Sequence, residues 1–134
     1  MTAYAFTKEE VLAIHSAAIT MFGGVDGVRD EGLLDSAMSQ PFQTFDGHDL
    51  YPTEICKACR YAFGIIRDHP FLDGNKRTGT ALLGVYLRMY GFDFKPIHQE
   101  LLETMMGVAD GSLDFDQLVQ WTQAQVVDSH SSIR

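Results

Sequence analysis

The sequence is poor in cysteine, in proline and in positive charge. Of its 134 residues two are cysteines and four are prolines, and ten lysines and arginines face eighteen aspartates and glutamates, giving a net charge of −8. A chain of this length can hide roughly two-thirds of its unfolded surface, so it requires no disulfide staple. The negative charge argues against non-specific affinity for nucleic acid or anionic membranes. We therefore expect no direct nucleic-acid binding.

Long apolar runs are also missing. No stretch approaches the ~20 residues that a membrane-spanning helix needs, and the N-terminal MTAYAFTKEEVLAIH lacks the basic segment and cleavage signature of a secretory signal. The sequence therefore predicts a soluble, cytoplasmic protein that binds no membrane. Its length fits a single domain, which we place at residues 1–126, with a polar flexible tail at residues 127–134.

The two cysteines, Cys56 and Cys59, lie together in ICKAC. A Cys-x-x-Cys pair is compatible with a redox pair or with half of a zinc site, but zinc needs further ligands and there is no second pair. The surrounding pattern is helical and apolar. We therefore favour two small side chains that face the core.

The hydrophobic periodicity is helical almost throughout, which predicts an all-α fold. Thr7 and Glu10 have capping-box spacing, and Asp30 is a plausible helix cap. Pro52 suits the first turn of a long helix, and the apolar residues after Asn75 lie nearly all round their helix, which places it in the middle of a bundle. The predicted helices cover about residues 7–24, 32–40, 52–69, 75–91, 98–108 and 114–126.

Two features stand out from this helical pattern. The segment from Pro41 to Tyr51 contains Phe-x-Thr-Phe followed by Asp-Gly, which predicts a small hairpin or flap. His15 lies on the apolar stripe of the first helix. Such a histidine is more often a hydrogen-bonded core residue than a ligand, and we predict that role for it.

The stretch HPFLDGNKRTG, His69 to Gly79, concentrates polar chemistry at the start of a predicted buried helix. The first N–H groups of a helix lack helical partners, and the helix dipole is positive there, so the position attracts anions. Gly74 allows a ligand to approach the main chain closely. Lys76 and Arg77 add two cations, and phosphate is the anion that suits this combination best.

The remaining polar residues of the stretch fit the same interpretation. Asp73 would repel phosphate unless it holds Mg²⁺, which typically binds one or two carboxylates and the phosphates of a substrate. His69 could take a proton from a hydroxyl nucleophile at neutral pH, and Asn75 would fix the loop. The alternative is a plain polar helix start. However, Lys76 and Arg77 are electrostatically unfavourable in a first helical turn unless an anion compensates them.

At these residues the sequence resembles a known family. HPFLDGNKRT resembles the Fic motif, His-x-Phe-x-[Asp/Glu]-Gly-Asn-x-Arg, in the version carried by death-on-curing (Doc) toxins. The upstream MFGGVDGVRDEGLLDSAM and the downstream ALLGVYLRMYGF are also similar to the Doc-type arrangement, so the resemblance covers nearly all of residues 5–125. It implies a compact Fic-type bundle of about six helices with a small β-flap, in which the motif lies between two central helices.

The resemblance also implies roles for individual residues. His69 would be the catalytic base that activates a target hydroxyl, Asp73 would bind Mg²⁺, and Phe71 would anchor the loop in the core. The flap would align the extended chain of a target protein by strand pairing. The phosphates of ATP would be held at Gly74, Asn75, Lys76 and Arg77, and the target would meet the flap at Phe42, Thr44 and Phe45.

Two departures from the adenylylating Fic pattern favour a different reaction. Lys76 replaces a second glycine, and Thr80 replaces a later arginine. Doc-type proteins share the lysine; they hold ATP in reverse and transfer its γ-phosphate to a threonine of elongation factor Tu, which halts translation. We therefore predict a protein kinase toxin. Adenylylation of a protein hydroxyl is the second interpretation, and a non-catalytic relative that binds an antitoxin is the third.

The inhibitory Fic pattern [Ser/Thr]-x-x-x-Glu-[Gly/Asn] is incomplete here. Glu31 and Gly32 supply its end, but Gly27 stands where the Ser or Thr should be. The resemblance therefore implies a separate antitoxin protein acting in trans. Its disordered segment would fold onto an apolar groove and block the site.

Overall fold

Residues 4–128, which the computed structural model describes, form six α-helices and two short β-ladders, so the predicted all-α class is confirmed. No helix in this range is long and apolar enough to cross a membrane. The helices are α1 (Lys8–Phe22), α2 (Glu31–Ser39), α3 (Glu54–Asp68), α4 (Asn75–Met89), α5 (His98–Asp110) and α6 (Phe115–Gln125). The strands are β1 (Thr44–Phe45), β2 (His48–Asp49), β3 (Phe92–Phe94) and β4 (Val126–Asp128).

Side-chain caps determine where most of these helices begin. Thr7 forms the predicted capping box with Glu10, and the side chain of Asp30 accepts the N–H of Leu33 at the start of α2. At α3 the cap is Thr53, so the expected place of Pro52 in the first turn is off by a residue or two, and the proline lies just before the cap. These bonds satisfy helix N–H groups that have no partner within the helix.

The centre of the molecule is the contact between α3 and α4, and α4 also packs against α1, α5 and β3, which confirms its predicted central place. A Cβ on Gly79 would lie 2.6 Å from Cγ1 of Ile66 and 3.1 Å from the carbonyl oxygen of Ala62. The two helices therefore cross closely because glycine stands there. Large buried side chains fill the rest of the core: Leu34, Tyr61, Ile65, Ile66, Leu82, Leu83, Tyr86, Leu87 and Leu118.

The predicted flap is a two-stranded hairpin. Thr44 pairs with Asp49 and Phe45 with His48. The two turn residues, Asp46 and Gly47, have φ angles of 53° and 77°. Two successive positive φ angles are the signature of the type I′ turn, which Asp-Gly favours.

The second ladder was not predicted. Strands β3 and β4 pair antiparallel, with Phe92 opposite Asp128 and Phe94 opposite Val126. Val126 therefore belongs to a strand and not to the last helix. The first two residues of the predicted tail, 127 and 128, are also in this strand. The rest of the predicted tail, residues 129–134, lies outside the described part of the chain. Three-residue strands are too short to show a period of two.

Both cysteines are free thiols on α3. Cys59 is fully buried and Cys56 is half-buried. Within residues 4–128 there is no cluster of three His, Cys, Asp or Glu side chains that could hold a metal ion. The structure therefore agrees with the interpretation that the two cysteines face the core. It offers no set of ligands for zinc among the described residues.

Candidate active site

His69 ends helix α3 in an unusual backbone conformation. Its φ and ψ angles are 52° and 58°, the left-handed region that non-glycine residues seldom adopt. Its side chain is exposed, and Nδ1 lies 3.1 Å from the carbonyl oxygen of Arg67. Because a carbonyl only accepts, this contact needs a hydrogen on Nδ1. In the neutral ring the lone pair is then on Nε2, which has no partner among the described residues.

Asn75 closes the loop that follows. Its Oδ1 accepts the N–H of Phe71 at 3.0 Å, and its Nδ2 donates to the carbonyl of the same residue at 3.0 Å. Both polar atoms of the buried amide are used in this way. The geometry therefore supports the loop-fixing role for the Asn75 side chain, and its contact with phosphate stays a prediction.

His15 supports the same loop from the side of α1. It is 1% exposed, and its ring lies parallel to the ring of Phe71 with centroids 3.8 Å apart. Its Nε2 donates to the carbonyl of Asp73 at 2.7 Å, and Nδ1 faces the carboxylate of Asp26 at 3.4 Å. The prediction of a hydrogen-bonded core histidine is confirmed. Phe71 is buried, as an anchor must be.

Asp73 has one carboxylate oxygen engaged and one available. Its Oδ2 accepts the backbone N–H of Val25 at 2.8 Å, and its Oδ1 makes no hydrogen bond within the described chain. A single exposed carboxylate does not form a cage for a metal. It does fit Mg²⁺ that arrives with a nucleotide, because that ion keeps several waters and takes its other ligands from substrate phosphates.

The first turn of α4 has no side-chain cap. It begins at Asn75 after Gly74, and the first N–H groups of a helix have no helical partner. Lys76 and Arg77 are exposed in this turn, and neither forms an ion pair within residues 4–128. The guanidinium carbon of Arg77 lies 4.1 Å from the centroid of the Phe22 ring. Helix N–H groups without a helical partner and two cations without an ion pair are the features that would suit a multiply charged anion, as the sequence predicts.

Local geometry favours glycine at position 74. Its φ angle of 79° is left-handed, and a Cβ there would lie 3.2 Å from Cδ1 of Ile19 and 3.6 Å from the ring of His15. The missing side chain would therefore point towards α1. Backbone conformation and packing therefore account for this glycine, and its contact with phosphate stays a prediction.

The segment from Phe22 to Asp30 runs along the whole motif. Val28 and Phe71 form an antiparallel bridge, and the N–H of Leu72 donates to the carbonyl of Gly27 at 3.0 Å. Through this pairing the end of α1 and the loop after it become one wall of the candidate site.

Two of the predicted site residues contact one end of this wall. Arg77 stacks on Phe22, and Asp73 accepts the N–H of Val25, three residues further along the chain. His69 lies at the other end of the same wall, where its carbonyl oxygen accepts a bond from Arg29. The sequence pattern did not single out Arg29, because its partners are about forty residues away in the chain.

The flap residues separate into two groups. Phe42 belongs to a 3-10 turn before the hairpin, is half-buried and packs on Tyr61 with centroids 5.9 Å apart, and its contact with a target stays a prediction. Thr44 and Phe45 lie on strand β1 and are exposed. The base of the hairpin is held by the buried Lys57, an unpredicted residue. Its ammonium donates to the carbonyl of Tyr51 and faces Asp49 at 3.6 Å.

A groove of about 530 Å³ lies along α4, away from the motif. It begins at Thr80, one turn after Lys76, and continues past Gly84 to Arg88. Its lining includes no residue from 69 to 77. The groove therefore starts at Thr80, directly after the motif, and does not include the motif residues.

Comparison with known proteins identifies the family. The model of the Fic/DOC family matches residues 5–87, more than half of the chain. The chain belongs to the Fic/DOC family. It is 38% identical over 118 residues to the protein named Toxin Doc of Mycolicibacterium smegmatis, covering 85% of this chain and 88% of that protein. It is 29% identical over 110 residues to the protein named Protein kinase doc of Escherichia phage P1, covering 80% and 83% of the two chains.

These relatives agree with the Doc-type interpretation of the motif. Both alignments cover at least four-fifths of each protein, so the likeness extends well beyond the motif itself. Within that domain, the structure places the motif between α3 and α4, in the contact at the centre of the fold.

Proposed function

We propose that this Fic/DOC protein is a Doc-like toxin that transfers the γ-phosphate of ATP to a Ser or Thr hydroxyl of a protein. The target that we propose is a threonine of elongation factor Tu, whose modification would inhibit translation. The names of the two relatives, a Doc toxin and a Doc protein kinase, support this class of activity. The observation that carries the proposal is the arrangement of His69, with a free Nε2, next to the uncapped and doubly cationic start of α4.

His69 acts as the general base in this proposal. Its Nε2 takes the proton of the target hydroxyl while the hydroxyl oxygen forms a bond to the γ-phosphorus, and the bond from that phosphorus to the β–γ bridging oxygen breaks, releasing ADP. The Nδ1 contact with Arg67 keeps the accepting nitrogen on the open side of the ring. A positioned base contributes about 10²- to 10⁴-fold to such a transfer.

The phosphates bind at the N-terminus of α4. The N–H groups of its first turn, together with Lys76 and Arg77, supply the positive potential. When bound, Mg²⁺ neutralises charge on the phosphate oxygens, and the free oxygen of Asp73 would hold it. The hairpin strand that carries Thr44 and Phe45 would pair with the extended chain of the target.

Two residues favour phosphoryl transfer over adenylylation. The side chain of Lys76 occupies space that a glycine would leave for the nucleotide, and Thr80 offers no cation where the adenylylating pattern has one. The hydroxyl of Thr80 instead donates to the carbonyl of Lys76 at 2.7 Å. A reversed nucleotide, with its γ-phosphate towards His69, is the binding mode that these differences support.

The antitoxin is the second partner that we propose. Its disordered segment would fold into the groove along α4, where apolar Val85, Phe94 and Leu101 are flanked by Arg88 and Lys95. The cationic rim suits an acidic amphipathic segment, and an occupant of the groove would end one turn from Lys76. Substitution of Arg88 by Glu should weaken antitoxin binding in calorimetry. If Arg88→Glu binds the antitoxin with unchanged affinity, the antitoxin binds another face of the protein.

ATP labelled at either phosphorus distinguishes the candidate reactions. The protein is incubated with Mg²⁺, elongation factor Tu and ATP that carries the label in the α or the γ position. Label from the γ position on the target supports the kinase, and label from the α position supports adenylylation. If a folded preparation transfers neither label to the target, the remaining interpretation is a non-catalytic relative that binds an antitoxin.

Matched histidine variants make this test specific. The change His69→Ala should abolish transfer without unfolding the protein, because the ring is exposed. His98→Ala, which removes another exposed histidine at the start of α5, should leave the rate unchanged. Equal rates in the two variants would contradict the role of His69.

A further inference from the structure

The turn that carries His69 receives an unusual set of hydrogen bonds from one arginine. The Arg29 guanidinium donates through Nε to the carbonyl of His69 at 2.7 Å and through Nη2 to the carbonyl of Asp68 at 2.9 Å. The next carbonyl, that of Pro70, accepts the backbone N–H groups of Arg29 at 2.7 Å and Asp30 at 3.0 Å. Three successive carbonyls are thus fixed by two adjacent residues of the opposite wall.

The chemistry of this turn requires such a contact. The last carbonyls of a helix have no helical N–H partner and carry the negative end of the dipole. His69 also holds a left-handed backbone conformation, which is unfavourable for a non-glycine residue and persists only when its surroundings enforce it. The guanidinium supplies positive charge and two donors in a fixed plane, which lysine cannot reproduce.

We propose that Arg29 is a positioning residue for His69. By holding the carbonyls of residues 68 and 69, it keeps the backbone turn in which Nδ1 of His69 reaches the Arg67 carbonyl. Nε2 is then the nitrogen with the lone pair before any substrate binds. The catalytic part of this inference rests on the proposed function, whereas the conformational part does not.

Kinetics of Arg29 variants test the catalytic part. Arg29→Gln should lower kcat by about 10- to 10²-fold, because small displacements of a catalytic group have effects of that size. The Kd for ATP should stay within about twofold, since the phosphate site at α4 is untouched. Arg29→Lys keeps the positive charge but loses the pair of donors in one plane. Its kcat should therefore lie between that of the unsubstituted protein and that of Arg29→Gln. Lys8→Gln, which removes a surface cation that pairs with Glu31 and Asp35 outside the candidate site, is the control.

A second measurement needs no substrate. Ring ¹⁵N chemical shifts of His69 in the neutral form should show the hydrogen on Nδ1 in the unsubstituted protein and in Lys8→Gln. In Arg29→Gln and Arg29→Lys the Nδ1–H population should fall, because the backbone turn relaxes and the contact with Arg67 is lost. Urea unfolding of each variant establishes that the folded state is being compared. If Arg29→Gln does not fold, the lysine variant provides the comparison.

The two readouts separate the possible failures. Absence of transfer in the unsubstituted protein would refute the proposed function, and the ¹⁵N shifts would then decide the role of Arg29 alone. An unchanged kcat in folded Arg29 variants, or an unchanged tautomer, would overturn the positioning role. A fall in kcat with a parallel loss of ATP affinity would also overturn it, because that pattern indicates general damage to the site.

Discussion

The imidazole of His15 lies flat against the ring of Phe71, with centroids 3.8 Å apart and an interplanar angle of 7°. The same imidazole donates to the carbonyl of Asp73, two residues further along the motif loop. Helix α1 therefore holds the loop through one buried side chain, while Asn75 holds it from α4. The loop is fixed by the protein alone, which reduces the cost of ordering it when a ligand binds.

Replacing His15 by Phe should destabilise the protein. The ring can keep its stacking on Phe71, but the part-buried carbonyl of Asp73 loses its donor, which costs about 1 kcal/mol. Urea unfolding gives the change in free energy. Wild-type stability in His15→Phe would mean that stacking alone supports the loop.

Replacing Phe22 by Leu should weaken ATP binding. The ring is half-exposed and carries the Arg77 guanidinium on its face. An exposed cation–π contact contributes about 0.5–1 kcal/mol, so the Kd should rise by about two- to fivefold. Calorimetry with a non-hydrolysable ATP analogue measures this. Phe22→Tyr should retain the affinity for ATP, and Phe45→Leu, on the hairpin, should not alter it. Weaker binding by Phe45→Leu would indicate that the adenine ring of ATP contacts the flap.

The hydrogen bond between Tyr4 and Glu10 should make the free energy of unfolding depend on pH in the acid range. The Tyr4 hydroxyl, 2.5 Å from Oε1, lowers the pKa of the Glu10 carboxyl, and the Thr7 N–H adds to the effect. A carboxyl with a lowered folded pKa contributes stability above its unfolded pKa, and the contribution disappears as pH falls through the folded value. Glu10→Gln should therefore be less stable than the parent at pH 7, and the difference should shrink under acid conditions.

Urea unfolding at neutral and at acid pH checks this, with Glu9→Gln as the control for a nearby first-turn acid that lacks these hydrogen bonds. A pH-independent difference between Glu10→Gln and the parent would assign the effect to packing and capping geometry instead of charge.

The two thiols should react differently with a disulfide reagent. Burial raises the pKa of the Cys59 thiol to about 12, so it is protonated and inaccessible at neutral pH. We expect the native protein to react at Cys56 first, and both thiols to react after unfolding in urea. Colorimetric thiol titration, with Cys56→Ala as the reference, measures the two rates. Rapid reaction of Cys59 with the reagent in native Cys56→Ala would contradict this prediction and favour the redox interpretation of the pair.

Local sequence determined the helices and the nature of the site. Side chains at Thr7, Asp30 and Asp114 cap the helices that follow them within three residues, and Asp46-Gly47 forms the hairpin turn by itself. Such interactions involve near neighbours, so they can be read from spacing. The motif from His69 to Arg77 likewise predicted an anion site, because two cations in a first helical turn need a compensating charge.

Only the tertiary structure decided which residues support that site. The contacts of His15 with Asp73 and of Arg29 with His69 join positions 58 and 40 residues apart. The pairing of β3 with β4 likewise joins segments more than thirty residues apart, and neither short strand has a pattern of its own. Long-range contacts of this kind follow from how α1, α3 and α4 pack together. The chemistry of the motif is therefore written in a short stretch of sequence, and its geometry depends on the packing of the whole fold.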